Sequence, residues 1–305
     1  MAMALNWTVD HMPNQTGRTV VVTGATSGLG RVTAARLAEA GATVLMAVRD
    51  TAKGERVRAE MRGNVEVHRI DLADPGSIRM FAESLGHRRI DALINNAGLS
   101  ARERELTPEG HERVIATNHL GPFALTGLLL NRFRPDRLPR VVTVGSNFYR
   151  QVRSGTDDEN LAATGSFHPL RQYVRSKVSN LLFAQELDRR LRAAGSPVRS
   201  FAAHPGMAWT GMQDNPGSIA ERVLVAALGA LVARSAEAGA LPILFAATDP
   251  RARADAFHGP SQRKWDKRVH FAPVVAPCND SERAARQWAI AEAATGVHYL
   301  SGVHL

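Results

Sequence analysis

The stretch Thr19-Val20-Val21-Val22-Thr23-Gly24-Ala25-Thr26-Ser27-Gly28-Leu29-Gly30 decides the fold. Its first half is a short apolar run rich in β-branched residues, which suits a strand buried on both faces of a parallel sheet. Its second half leads straight into a helical pattern from Leu29 to Ala40 that stops at Gly41, a common helix terminator. Gly24, Thr26, Ser27, Gly28, Leu29 and Gly30 therefore form a strand-to-helix turn. Glycines let a backbone approach a ligand closely, and a helix start offers unpaired N–H groups at the positive end of its dipole. Such a turn suits a pyrophosphate. The spacing is not G-x-G-x-x-G, since three residues separate the first two glycines, so a plain tight turn is the competing reading. The strand before and the helix after favour a dinucleotide.

Working outward, short Val- and Ile-rich runs alternate with helical patterns. Strands are expected at Thr43 to Val48, Val65 to Ile70, Ala92 to Ile94, Arg140 to Val144 and Val198 to Ala202, and a helix from Ile78 to Leu85 ends at Gly86. Repeated βαβ units imply an α/β fold, a doubly wound parallel (Rossmann) sheet of about seven strands flanked by helices. No internal repeat or long Pro/Gly/Ser linker divides the 305 residues, so residues 1–305 read as a single domain, with 1–16 as a lead-in. Two stretches interrupt the alternation, about Asn147 to Arg171 and Met207 to Ser235. Both should gather at the carboxyl ends of the strands, over the ligand crevice, the second (207–235) as a small substrate lobe after the sixth strand.

Composition narrows the function classes. One cysteine, Cys278, excludes an intrachain disulfide and a thiolate metal cluster. The eleven histidines show no His-Glu-x-x-His pattern, so no metal is expected, and His111, His119 and His168 read as structural or surface residues. The net charge of +9 raises the question of nucleic acid. The arginines are scattered and no nucleic-acid-binding signature is present, so none is expected as a partner. No signal-peptide pattern opens the chain, and the longest apolar stretch, about Val223 to Ala233, is roughly half of a bilayer span. A cytoplasmic protein with no membrane span is the expectation.

Past the glycine turn, the second strand ends at Val48-Arg49, where an acid would bind a ribose 2′-hydroxyl. A guanidinium there, with Lys53 nearby, suits a 2′-phosphate through paired, charge-assisted donors. NADP(H) is therefore expected in preference to NAD(H). Further on, Tyr173-Val174-Arg175-Ser176-Lys177 places a phenol and an ammonium on one helix face. Acid/base work near neutrality asks a tyrosine to drop about 3 pKa units, about 4 kcal/mol. A cation about 5 Å away supplies about 3 kcal/mol at an effective dielectric near 20. Ser146 lacks a Gly-x-Ser-x-Gly setting and a hydrolase-type partner.

Taken in order, Thr23 to Gly30, Asn95-Asn96-Ala97-Gly98, Asn118, Ser146 and Tyr173/Lys177 closely resemble the short-chain dehydrogenase/reductase family, from about Thr16 to Gly296. Met46-Ala47-Val48-Arg49-Asp50 and Thr117-Asn118-His119-Leu120-Gly121 look most like its retinol-dehydrogenase-like branch and bacterial relatives. The resemblance implies hydride transfer between NADP(H) and a small-molecule alcohol or carbonyl. Tyr173 would be the acid/base, Lys177 would bond the nicotinamide ribose, Ser146 would hold the substrate oxygen, and Asn118 would anchor a proton-relaying water. Asn95, Asn96, Ala97 and Gly98 would steady the sheet and line the adenosine ribose, with Asp71 and Leu72 at the adenine. His204-Pro205-Gly206 matches the family's turn under the nicotinamide; Pro205, Gly206, Met207 and Thr210 would line the cofactor there, Thr210 near the carboxamide or phosphates. Departures are a long Ser146–Tyr173 interval, Gly145 in place of a second serine, and Ser27 where many NADP-using members carry a base. Related enzymes often pair through long central helices, which leaves a homo-oligomer open.

Met207, Trp209, Met212 and the Val223–Ala233 stretch suggest an apolar substrate, although that helix could equally pack on the sheet. Two other readings remain open on the residues alone: an NADP(H)-binding sensor or scaffold without turnover, and a carbon–carbon double-bond reductase of the same family.

Overall fold

The computed structural model describes residues 3–147, 149, 158–206, 235–261 and 268–300. Seven parallel strands form the body of the sheet: β2 (Thr19–Thr23), β3 (Thr43–Val48), β4 (Asn64–Arg69), β5 (Ala92–Asn95), β6 (Arg140–Val144), β7 (Arg199–Ala203) and β8 (Ala256–Pro260). Two further strands extend it antiparallel, β9 (Val269–Pro273) against β8 and β1 (Met3–Leu5) against β9. Across the sheet the order is β1-β9-β8-β7-β6-β5-β2-β3-β4. The strand order reverses between β2 and β5. At such a switch point, ligands of doubly wound sheets bind outside the carboxyl ends of the strands.

Helices cover both faces. α1 (Gly28–Glu39) and α7 (Ala236–Thr248) pack on one side, with α2 (Thr51–Ala59) beside β3 and β4. α3 (Pro75–Ser84), α5 (Gly121–Leu129), α6 (Pro169–Ala193) and α8 (Ser281–Thr295) build the other side. A short α4 (Arg113–Ile115) runs through one π-helical turn, Ala116–Leu120, into α5. Local chemistry explains the starts and stops. Asp50, Asp74 and Asp280 accept backbone N–H bonds at the beginnings of α2, α3 and α8, Pro75 and Pro169 open α3 and α6, and Gly41 follows α1 at φ 98°. Because alternate side chains of each strand enter opposite layers, the core is double. Val20, Val22, Val44 and Met46 lie with α1 and α7, and Val21, Leu45, Leu93 and Val141 lie under α3, α5 and α6.

The lead-in contributes to the fold itself. Trp7 is completely buried, with its ring edge-on to Phe245 of α7 at 5.6 Å. The expected substrate lobe, with Met207, Trp209, Thr210, Met212 and Val223 to Ala233, lies outside the described residues. Removing the Trp7 indole by Trp7→Ala should lower unfolding stability by about 3–5 kcal/mol, the cost of truncating a buried aromatic. Urea denaturation followed by circular dichroism measures it, and a change below about 1 kcal/mol would show that the N-terminal segment is dispensable to the core.

Candidate active site

The glycine turn lies at the carboxyl end of β2, beside the switch point. Gly24 and Gly28 adopt positive φ, 67° and 51°, which a side chain would strain. Gly30 is needed for a different reason, since a Cβ there would run into the Gly24 carbonyl and the Asn96 amide. The first backbone bond of α1 runs from Arg31 N–H to the Ser27 carbonyl at 3.1 Å, and the Ser27 side chain makes no capping bond. The amides of Gly28, Leu29 and Gly30 thus remain at the helix start as donors for an anion, with no acidic residue in that turn. A dinucleotide pyrophosphate fits this donor set.

Thr23 ties the turn to the next strand. Its hydroxyl accepts from the N–H groups of Asn96 and Ala97, each at 3.0 Å, and donates to the Ile94 carbonyl at 3.3 Å. Asn96 returns the connection by donating from Nδ2 to the Thr23 carbonyl at 2.9 Å. Asn95 is buried and donates to Thr126 Oγ1 of α5 at 3.0 Å. The expected steadying role of these asparagines thus corresponds to bonds from β5 to β2 and to α5.

Arg49 and Lys53 are exposed at the carboxyl end of β3 and in the first turn of α2, and neither makes an ion pair among the described residues. The neighbouring Asp50 carboxylate is taken up in capping α2 through Lys53 N–H at 2.8 Å. Asp71 accepts from Ala73 N–H at 3.0 Å, and Leu72 is buried beside it at the end of β4. At the end of β7, His204 Nδ1 accepts from Gly206 N–H at 3.0 Å and shapes the Pro205–Gly206 turn. Met207 and Thr210 fall outside the described residues.

The expected catalytic side chains, Ser146, Tyr173, Lys177 and Asn118, meet between β6, α6 and the π turn. Tyr173 and Lys177 share one face of α6, with the Lys177 ammonium 5.6 Å from the Tyr173 ring centroid. Lys177 is buried and donates to the Val144 carbonyl at 3.1 Å. Ser146, two residues past that carbonyl, is hydrogen-bonded to the Tyr173 side chain. Asn118 is completely buried: Oδ1 accepts from Leu99 N–H at 2.8 Å, and Nδ2 donates to the Leu99 carbonyl and to Ser176 Oγ, both at 2.9 Å. Both partners of Nδ2 and one of Oδ1 are therefore protein groups.

Ser176 is the group that sequence reasoning passed over, although it stands inside the Tyr173–Lys177 stretch. It accepts from Asn118 and donates to the Tyr173 carbonyl at 2.7 Å, joining the π turn to the helix turn that carries the phenol. Only the fold brings these two turns together, and nothing in residue spacing reveals it.

One expectation needs correction. Burial pushes the Tyr173 phenol up to about 12, opposed by the Ser146 bond, and burial brings Lys177 down to about 8. The crevice withholds water from both groups, and desolvation disfavours each charged form.

A strand-turn-helix turn with free amides thus lies beside a switch point, and Ser146, Tyr173, Lys177 and Asn118 gather near it. The chain belongs to the short-chain dehydrogenase/reductase family, oxidoreductases acting on alcohol and carbonyl groups. Residues 18–156 match the model of the short chain dehydrogenase family. Dehydrogenase/reductase SDR family member 13 of Bos taurus is 36% identical over 281 residues, covering 89% of this chain and 71% of that one. Retinol dehydrogenase 13 of Homo sapiens is 34% identical over 283 residues, covering 90% and 83%. A crystal structure of an uncharacterised protein from Mycobacterium paratuberculosis superposes with a TM-score of 0.79 at 40% identity, over 97% of this chain and 99% of that one. Among the described residues no helix is long and apolar enough to cross a membrane, and no His/Cys/Asp/Glu group could hold a metal ion.

Thr23→Val keeps the shape and orphans two amides, which costs about 1–3 kcal/mol per buried donor left unmet. Isothermal titration with NADPH should show affinity reduced about tenfold or more, with melting temperature lowered in parallel. Unchanged NADPH affinity would detach the Thr23 hydroxyl from the cradle.

Proposed function

We propose that this protein interconverts an apolar alcohol and its carbonyl compound with NADP(H), using Tyr173 as general acid and base. The observation that carries the reading is the buried Lys177 ammonium under the Tyr173 ring, with Ser146 bonded to the same phenol. Gly24 through Gly30, Asn95 to Gly98, Asp71, Leu72, Pro205 and Gly206 would hold the dinucleotide, together with Tyr173 and Lys177. Bound there, it supplies or accepts the hydride. Ser146 Oγ orients the substrate oxygen, and the Tyr173 hydroxyl gives that oxygen a proton in reduction or removes one in oxidation. Lys177 keeps a positive charge beside the phenol, which stabilises a phenolate once further positive charge enters the crevice. Asn118 fixes Leu99 and Ser176, and through Ser176 the Tyr173 turn.

For the cofactor, Arg49 and Lys53 support a 2′-phosphate because both are exposed without an ion-pair partner among the described residues, and the nearest acid is engaged in a cap. Arg49→Ala should shift the ratio of NADPH to NADH affinity by about ten- to a hundredfold towards NADH, as loss of charge-assisted bonds worth about 1.5–3 kcal/mol implies. A wild-type protein that binds NADH as tightly as NADPH would overturn this cofactor assignment. The apolar substrate rests on kinship with a retinol dehydrogenase. A panel of straight-chain and aromatic aldehydes and the matching alcohols, read by NADPH absorbance, tests it; no turnover anywhere in the panel defeats the reading.

The Tyr–Lys pair also sets a pH dependence. Reduction needs the pair fully protonated, and its first proton leaves as Lys177 titrates at about 8. Carbonyl reduction should therefore fall as pH increases through about 8, and alcohol oxidation should fall with it, because a discharged lysine no longer stabilises the phenolate. Tyr173→Phe should lower both by about 10²–10⁴-fold, with a much smaller loss of dinucleotide affinity. A flat profile for both directions between pH 6 and 10 would remove the pair from the proton path.

A further inference from the structure

Arginines dispersed through the sequence gather at the amino-terminal ends of the parallel strands, the pole opposite the crevice. β2, β5 and β6 begin there, at Thr19, Ala92 and Arg140, and the strip from Asn131 to Leu138 leads across to β6. Backbone bonds anchor that strip, from Ile90 N–H to the Arg132 carbonyl at 2.9 Å and from Arg134 N–H to the Ile90 carbonyl at 3.0 Å. Arg89 donates from Nη1 to the Asn131 carbonyl, and Arg18 from Nη2 to the Arg137 carbonyl, both at 2.8 Å. Arg18, Arg89, Arg132, Arg134 and Arg137 therefore form one basic patch, drawn from three separate stretches of chain.

Acid to balance the patch is scarce. Asp91 is completely buried and is taken up by Thr19 N–H at 2.7 Å and by Arg134 at 3.4 Å, which leaves Asp136 exposed on the strip. Arg18, Arg89, Arg132 and Arg137 make no ion pair among the described residues, whereas Arg199, Arg251 and Arg253, near the starts of β7 and β8, each meet an aspartate at 2.8 Å or less. Burial lowers the Arg18 pKa, Asp91 opposes this, and the charges of Arg137 and Arg134 lower it further. Like charges held together in this way are relieved by an external anion.

The same strip holds out an apolar side chain. Leu138 is 67% exposed and sits at φ 48°, ψ 60°, a left-handed conformation that leucine rarely takes. Strain of this kind collects at functional places. A leucine tip among arginines matches a surface with anionic headgroups above an apolar layer. A nucleic acid would engage the arginines and leave the leucine in water, and the short Pro135–Arg137 turn is neither a helix nor a ribbon that could enter a groove.

We propose that this pole docks on an anionic lipid bilayer, with Arg18, Arg89, Arg132, Arg134 and Arg137 at the headgroup phosphates and Leu138 in the layer beneath. The crevice then faces away from the bilayer. The docking surface is independent of the oxidoreductase reading, because none of these residues belongs to the candidate active site.

Sedimentation of the full chain with lipid vesicles tests the docking. On vesicles of phosphatidylcholine with about one-third phosphatidylserine at about 0.1 M salt, affinity should exceed that for pure phosphatidylcholine by about tenfold or more, and about 0.5 M salt should remove the difference. Arg132→Gln combined with Arg137→Gln should weaken binding about twentyfold, or about fivefold for each charge. Leu138→Asn, which suits a left-handed backbone, should weaken binding about fivefold with a melting temperature no lower than that of the unmutated protein. NADPH affinity should be unchanged in both variants. Absence of vesicle binding, equal binding to the two kinds of vesicle, or full affinity in either variant would each overturn the proposal. So would tighter binding, dependent on the same arginines, to a short RNA duplex or to inorganic polyphosphate, which would make the patch a site for a soluble polyanion.

Discussion

The placement of one ammonium group constrains most of this molecule. Lys177 reaches the Val144 carbonyl because α6 lies close along β6, and Gly98 lies beside its Nζ. A Cβ on Gly98 would stand 3.4 Å from both Lys177 Nζ and Asn118 Oδ1. The charge is held with a single hydrogen bond from protein among those described and is desolvated enough to bring it down to about 8. A cation in that condition is poised to interact with a negatively charged neighbour, and the adjacent phenol becomes one as soon as it ionises.

The surrounding architecture keeps that arrangement rigid by connecting loops to one another. Thr23 joins β2 to β5, Asn95 joins β5 to α5, and Asn118 joins the π turn to Leu99 and, through Ser176, to α6. The π turn is itself informative. Such irregular turns are rare and concentrate at functional places, and this one presents a fully buried asparagine towards the helix that carries Tyr173.

The parallel core was legible in residues 19–23, 43–48 and 140–144 because strands buried on both faces need uninterrupted apolar, β-branched runs, and those bounds coincide with β2, β3 and β6. β8 carries His258, Gly259 and Pro260, and β9 carries His270 and Pro273, so neither has that pattern; β8 is a strand because it pairs with β7, and β9 because it pairs with β8. β1 likewise exists through its pairing with β9. At the site, the phenol, the ammonium and the glycine turn were readable from local spacing. The direction of the tyrosine's shift was not, since it depends on how much water the folded crevice admits.

The position of α8 bears on how this protein comes into being. Its Trp288 lies within 5.0 Å of Phe123 and 5.9 Å of Phe183, ring centre to ring centre, and thereby closes the layer under α5 and α6. While the chain emerges from the ribosome, every strand of the parallel sheet is complete before residues 281–295 are made. Until they arrive, the aromatic surface of α5 and α6 stands open to water or to other unfinished chains. α8, made after every strand of the parallel sheet, thus closes this layer, and a nascent chain halted just short of it would be assembled yet sticky.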